Sequence, residues 1–303
     1  MPHISSPYAD VALIGNPNTG KTSIFNALTG LRQKIGNYPG VTVEKKTGTV
    51  LGSGGEQVRL HDLPGMYSLT PKSMDEKIAR DVLMGEWDEQ LDIRLVVVVA
   101  DAANLNRNLY LVTQVIDLGI PVVVALNMMD SAKSEGVHID VEALSEHLDV
   151  PIVPVVATSQ HGLDLLRHEM FAQVTAPKTT GKTGTLTLDE ALNASLTPIV
   201  DWLEEHTRLT AAAQTAEALR VVSSDLALES WMSDHYTEAC KNDLKTATQS
   251  IRDHLEAKDI SWRILEAKLR YEQIDDLYEQ TVQENPEAGQ SFSMRLDRVL
   301  THR

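Results

Sequence analysis

The sequence predicts an α/β fold: a mostly parallel sheet of six strands with helices on both faces, followed by a small all-α part. Three observations carry that prediction. Short β-branched runs alternate with helical patterns up to about Phe171, a single hairpin signal interrupts the alternation, and strand signals vanish beyond a polar linker.

Val11–Ile14, Leu95–Ala100, Val122–Leu126 and Ile152–Val156 are apolar runs of strand length. Each precedes a loop and a helix-like stretch, as parallel strands with crossover helices require. Thr47–Leu51 and Gln57–His61 flank Gly52-Ser53-Gly54-Gly55, a hairpin signal that adds an antiparallel strand. The stretch 176–184, Ala-Pro-Lys-Thr-Thr-Gly-Lys-Thr-Gly, lacks apolar periodicity and reads as a linker between a domain over 1–175 and a helical domain over 185–303. In the latter, Leu192, Leu196, Ile199 and Leu203 recur at helical spacing, as do Ile260, Ile264, Leu265 and Leu269. Trp202, Trp231 and Trp262 are expected to anchor its core.

The 303 residues carry 27 Lys+Arg against 43 Asp+Glu, a net charge of −16, which argues against gripping nucleic acid or anionic lipid as the main task while leaving room for a local basic patch. The single cysteine, Cys240, excludes an intramolecular disulfide and a cysteine-built zinc site, and fits a reducing compartment. No segment approaches the roughly 20 apolar residues that cross a bilayer, and Met1–Asp10 shows no signal-peptide pattern, so a cytoplasmic location is expected.

Directly after the first strand comes Gly15-Asn16-Pro17-Asn18-Thr19-Gly20-Lys21-Thr22, followed by the amphipathic run from Ser23 to Leu28. This is the GxxxxGK[ST] phosphate loop in its strand-loop-helix setting. Glycines are needed because successive backbone N–H groups turn inward around a polyphosphate. Lys21 is expected to reach the β- and γ-phosphates, and the Thr22 hydroxyl to bind Mg²⁺. Gly181-Lys182-Thr183 repeats the motif's last letters but follows no strand, and reads as linker.

The base is read elsewhere. Val122–Leu126 ends in Asn127-Met128-Met129-Asp130, where Asp130 is placed to accept the two adjacent N–H donors of guanine, a pair adenine does not present. Asn127 is expected to tie this loop to the phosphate loop. Met128 stands where the common Asn-Lys-x-Asp form has lysine, and a methionine can still cover the base face. Thr158, Ser159 and Gln160 follow the last strand where a backbone N–H meets guanine O6 in related loops. Asp62-Leu63-Pro64-Gly65 is a DxxG element: Asp62 is expected to hold a water on Mg²⁺, and the Gly65 N–H to bond the γ-phosphate. Gly40-Val41-Thr42 lies between these motifs, with Thr42 suited to complete the Mg²⁺ shell. Met66 stands where many GTPases have a water-orienting glutamine, so slow hydrolysis is expected. His61 should point to the opposite face from Asp62, because side chains alternate along a strand.

Gly15–Gly48, Asp62–Leu69, Asp101–Leu111 and Leu118–Asp130 together resemble the cytosolic N-terminal part of the bacterial ferrous iron transport protein B family, and Leu296–Arg303 is similar to the segment before that family's first membrane helix. The resemblance implies a Ras-like P-loop GTPase joined to a helical domain that favours the GDP state. It further implies a membrane-embedded iron-conducting region as partner, small accessory Feo proteins, and a full-length protein in the bacterial inner membrane with this part facing the cytoplasm. It also implies a potassium ion held by Asn18 and the carbonyls of Gly36 and Tyr38, acting on the phosphates with Lys21, Thr42 and Gly65. Leu31–Lys46 is expected to be mobile and to order around Mg²⁺ and GTP. Two rivals stay open at this point: a GTPase acting on ribosomes or RNA, which the charge of −16 disfavours, and a nucleotide sensor with negligible turnover, to which Met66 lends weight.

Overall fold

A computed structural model describes residues 8–30, 32–38, 41–87, 91–176, 184–233 and 235–285. In chain order these form β1 (Ala9–Gly15), α1 (Lys21–Thr29), β2 (Gln33–Asn37), β3 (Glu44–Leu51), β4 (Gln57–Asp62), α2 (Met74–Leu83), β5 (Ile93–Asp101), α3 (Leu105–Ile116), β6 (Val122–Asn127), α4 (Met129–Ser134), β7 (Val137–Ile139), α5 (Val141–Leu148), β8 (Ile152–Pro154) and α6 (Leu163–Thr175). There follow α7 (Glu190–His206), α8 (Ala211–Ser223), α9 (Asp225–Ser230), α10 (Glu238–Glu256), α11 (Leu265–Thr281) and β9 (Val282–Glu284).

The main sheet has the order β2-β3-β4-β1-β5-β6-β8. Strands β4, β1, β5, β6 and β8 run parallel, while β3 is antiparallel to both β2 and β4. The central strands are valine-rich because both of their faces are covered. Val11 and Leu13 pack with Ile24 and Phe25 of α1 and Leu166 of α6, whereas Ala12 and Ile14 pack with Ile78 of α2 and Val112 of α3.

Two expectations are corrected here. The sheet has seven strands rather than six. The seventh, β2, falls within Leu31–Lys46, a stretch expected to be mobile; Gln33–Asn37 is mostly exposed and has no apolar alternation, and it is a strand because the backbone of β3 offers it a ladder. Strand structure also does not end at the linker, since β9 pairs antiparallel with β7. Residues 177–183, which include Gly181-Lys182-Thr183, lie outside the described residues.

In the helical part Leu196, Ile199 and Leu203 are buried together with Trp202, Trp231 and Trp262. Side chains of Asp189, Thr210, Ser224 and Thr237 cap the N-termini of α7, α8, α9 and α10, each accepting a backbone N–H of the first turn. Ile264 departs from expectation: it is 58% exposed, as the residue before α11 rather than part of its buried face. Helix α11 leaves this bundle and packs on the sheet's own core through Ile274 and Leu277.

The two parts meet across buried charge. Arg80 of α2 donates to Glu217 of α8 at 3.2 Å and lies 4.5 Å over the Trp231 ring, while Trp231 Nε1 donates to the same carboxylate at 2.7 Å. Glu266 of α11 accepts from Arg270 Nε at 2.9 Å, from Gln114 Nε2 at 2.8 Å, and from the Tyr110 hydroxyl. Arg270 also pairs with Asp117 at 2.9 Å. Burial alone pushes the Glu217 and Glu266 carboxyls up, yet Arg220 and Arg80 beside Glu217, and Arg270 and Arg220 beside Glu266, hold both below the ordinary value of 4.5. A carboxylate with a depressed folded-state pKa stabilises the fold above its unfolded pKa, and that contribution is lost as pH falls through the lower folded value. Stability should therefore be flat from neutral to about pH 5 and fall below about pH 4.5. Urea midpoints measured across that range check this; a midpoint unchanged between about pH 5 and pH 3 contradicts it.

Candidate nucleotide-binding site

The phosphate loop joins β1 to α1 at the C-terminal end of the parallel strands, where open α/β sheets present their ligand crevice. Its conformation is one that side chains oppose. Gly20 has φ +83°, and a Cβ there would stand 2.3 Å from Asn127 Nδ2; a Cβ on Gly15 would stand 2.4 Å from the Val99 carbonyl oxygen. Thr19 is buried and donates to the Asn16 carbonyl at 2.9 Å. Asn18 is exposed with φ 70°, and Pro17 is exposed beside it. Asn16 is 4% exposed, and neither of its side-chain polar atoms has a hydrogen-bond partner among the described residues. No side chain caps α1, whose first turn, bearing Lys21, Thr22 and Ser23, contains no acidic residue. Free N–H groups, a glycine cradle and an orphaned buried amide fit a phosphate chain.

Asn127, at the end of β6, holds the site together. Its Nδ2 donates to the Thr19 carbonyl at 2.8 Å and its Oδ1 accepts the Ala157 N–H at 3.1 Å, so one buried side chain binds the phosphate loop to both loops expected to read the base. Met128 takes a left-handed φ of 62° and its methyl group reaches back toward Gly20. Asp130 is exposed in the first turn of α4 and does not cap it; Met128 is the N-cap. Thr158, Ser159 and Gln160 are exposed in and just after the short 3-10 turn Ala157–Ser159, and Gln160 has φ 61°.

On the other side, Asp62 is 7% exposed and makes an ion pair with the Lys21 ammonium. The Met66 N–H donates to the Gly15 carbonyl at 3.2 Å, which sets the DxxG turn and Gly65 against the phosphate loop. Met66 itself is fully buried in the core, so its side chain orients no water. His61 points away from Asp62, as expected, and its Nε2 lies 2.7 Å from Asp10. Thr42 is exposed and Val41 half-buried between Tyr38 and β3, and Gly36 lies in β2 opposite Lys45. Tyr38 is buried edge-on against Trp87 at 5.6 Å; burial, with the Asp62 charge, pushes its phenol well up. Gly40 lies outside the described residues.

Sequence reasoning missed Gln114. This fully buried α3 side chain accepts the Leu69 N–H at 2.8 Å and donates to Glu266 at 2.8 Å, which joins the segment after DxxG to the helical part. Nothing local marks a lone glutamine within an apolar helix face for that role.

Fold and loops together define a GTP-binding P-loop G domain. A family profile, ferrous iron transport protein B, matches residues 9–170. The chain belongs to that family. It is 51% identical over 162 residues to the Fe(2+) transporter FeoB of Salmonella typhimurium, covering 52% of this chain and 20% of that protein, and 48% identical over 162 residues to that of Escherichia coli K12. It thus spans about a fifth of the length of the curated relatives it matches. Among solved structures, a GDP-bound mutant of the S. thermophilus FeoB G-domain is similar with a TM-score of 0.74 and 32% identity, over 91% of this chain and 100% of that one. The cytosolic domain of L. pneumophila FeoB matches with the same four values.

Proposed function

We propose that the chain is the GTP-binding and GTP-hydrolysing regulatory region of a bacterial ferrous iron transporter, with the G domain over 1–175 and the helical domain over 185–303 acting on a membrane-embedded iron-conducting region. The observation that supports this is the Asn127 bridge, which ties the glycine-rich phosphate loop to the loop after β8 from a position three residues before the exposed Asp130. Asp130 selects guanine, and the backbone at Thr158–Gln160 borders its O6 edge. Lys21 exchanges its pairing with Asp62 for the β- and γ-phosphates. Thr22, Thr42 and Asp62 would hold Mg²⁺, which would neutralise phosphate charge. The Gly65 N–H senses the γ-phosphate, and Leu69, Gln114 and Glu266 pass its position to the helical domain.

Replacing Asp130→Asn should weaken GTP and GDP binding by about 100-fold, the value of one or two charge-assisted hydrogen bonds, and leave ATP binding as weak as before. Titration with GTP, GDP and ATP measures both; wild-type protein binding ATP as tightly as GTP overturns the reading.

Met66 turns inward, so turnover is expected to be slow; a potassium ion, if held by Asn18 and the carbonyls of Gly36 and Tyr38, would neutralise developing phosphate charge. Phosphate release should be faster in KCl than in NaCl at matched ionic strength; equal rates remove potassium from the mechanism.

A further inference from the structure

Helices α2 and α3 cover one face of the sheet at β1, β5 and β6, but the same face of β2, β3 and β4 carries a recess of about 780 Å³. The register sets its rows. Lys34, Thr47 and His61 align across the three strands, Thr49 lies beside Arg59, and Lys45 lies opposite Gly36. Arg32, Lys34, Lys45 and Arg59 line the recess together with the Thr47 and Thr49 side chains, and no lining residue is acidic. In a chain where acidic residues outnumber basic ones 43 to 27, a concave surface lined by four basic residues and no acidic one is a pronounced local reversal, although one of the four, Arg59, is already paired with Asp10. Beneath it Asp10, 5% exposed, is engaged by His61 at 2.7 Å and Arg59 at 3.6 Å.

We propose that this recess binds a soluble small molecule bearing two or more phosphate groups, separately from the nucleotide site. Lysine and arginine supply charge-assisted donors, and the threonines neutral ones, for an anion with many acceptor oxygens. The volume lies within the range of small-molecule sites, about 300–1,000 Å³. Concavity favours a compact solute over a bilayer, since a flat surface meets only the rim. Lys34 sits on β2 while Lys45 and Arg59 sit on β3 and β4, so a ligand spanning them clamps β2 to the sheet edge.

The test uses protein saturated with GDP, so that the phosphate loop is filled, and inorganic tripolyphosphate as probe in isothermal titration. One additional site is expected. Lys34→Glu with Lys45→Glu should weaken it by at least about tenfold, while Lys258→Glu on the helical part leaves it unchanged. Retained GDP affinity and an unchanged circular dichroism spectrum show that the double variant is folded; if it is not, Lys34→Gln alone should still weaken the probe severalfold. Absence of a second site, or a site indifferent to Lys34 and Lys45, overturns the proposal. So does the converse pattern, in which phosphatidylglycerol vesicles bind in a Lys34- and Lys45-dependent way and tripolyphosphate does not. Failure to bind GDP at all is a separate result that falls on the nucleotide reading.

Discussion

Gly20→Ala should reduce guanine-nucleotide affinity by at least about 100-fold. Two effects combine. A left-handed backbone costs a residue with a Cβ about 1 kcal/mol, and the added carbon would stand 2.3 Å from Asn127 Nδ2, so one of the two must move. Asn127 has no room to yield without giving up its bonds to Thr19 and Ala157, each worth about 1–3 kcal/mol when a buried partner is left unpaired. Both the phosphate cradle and the base loops are then misplaced by one methyl group. Equilibrium titration with a fluorescent GDP analogue measures the loss. An affinity within about threefold of wild type would mean that Asn127 does not organise the site.

The second large effect is on the fold. Glu266→Ala removes the carboxylate that faces Arg270, Gln114 and Tyr110 inside the junction of the two parts. Breaking a buried charge pair by deleting one partner costs about 3–5 kcal/mol; Arg270 keeps Asp117, so the lower end applies. The expected result is a loss of about 3 kcal/mol in urea unfolding. Glu266→Gln should be milder, because an amide still accepts from Gln114 and Arg270. Faster GDP release is expected in both variants, since Leu69 is held through Gln114. Loss of stability with unchanged GDP release would confine Glu266 to a structural role and cut the proposed link from the DxxG segment to the helical domain.

These two substitutions mark the division between what a linear reading reveals and what it conceals. The phosphate loop was legible because its chemistry is contiguous: strand, glycine turn and helix start lie within about a dozen residues, and each residue type has a local reason to be there. The tie from Asn127 to Thr19 spans 108 positions, yet it too was legible, because its motif closes a recognisable strand. Strand β2 was not. Gln33-Lys34-Ile35-Gly36-Asn37 has one apolar side chain, which is 68% exposed, and its order comes from backbone pairing that no side-chain pattern records. Glu217, Glu266 and Arg270 belong to no motif, and it is the meeting of α8 and α11 with α2 and α3 that buries them. The local pairs of Glu217 with Arg220 and of Glu266 with Arg270 look like solvated helix ion pairs in sequence, because the partners that enclose them, Arg80 and Gln114, lie over 100 residues away.

The short ladder of β7 and β9 has a mechanical consequence. Helix α11 ends in β9, which zips onto β7 from Ile139 opposite Val282 to Val137 opposite Glu284, with Asn285 donating to Gly136. Gly136 lies two residues after α4, the helix that carries Asp130. A tensile load applied at Asn285 would peel the ladder from its Gly136 end, so the strain would arrive at α4 before it reached the tryptophan bundle. If Asp130 reads guanine as proposed, this strap is a tether whose tension bears on that contact first.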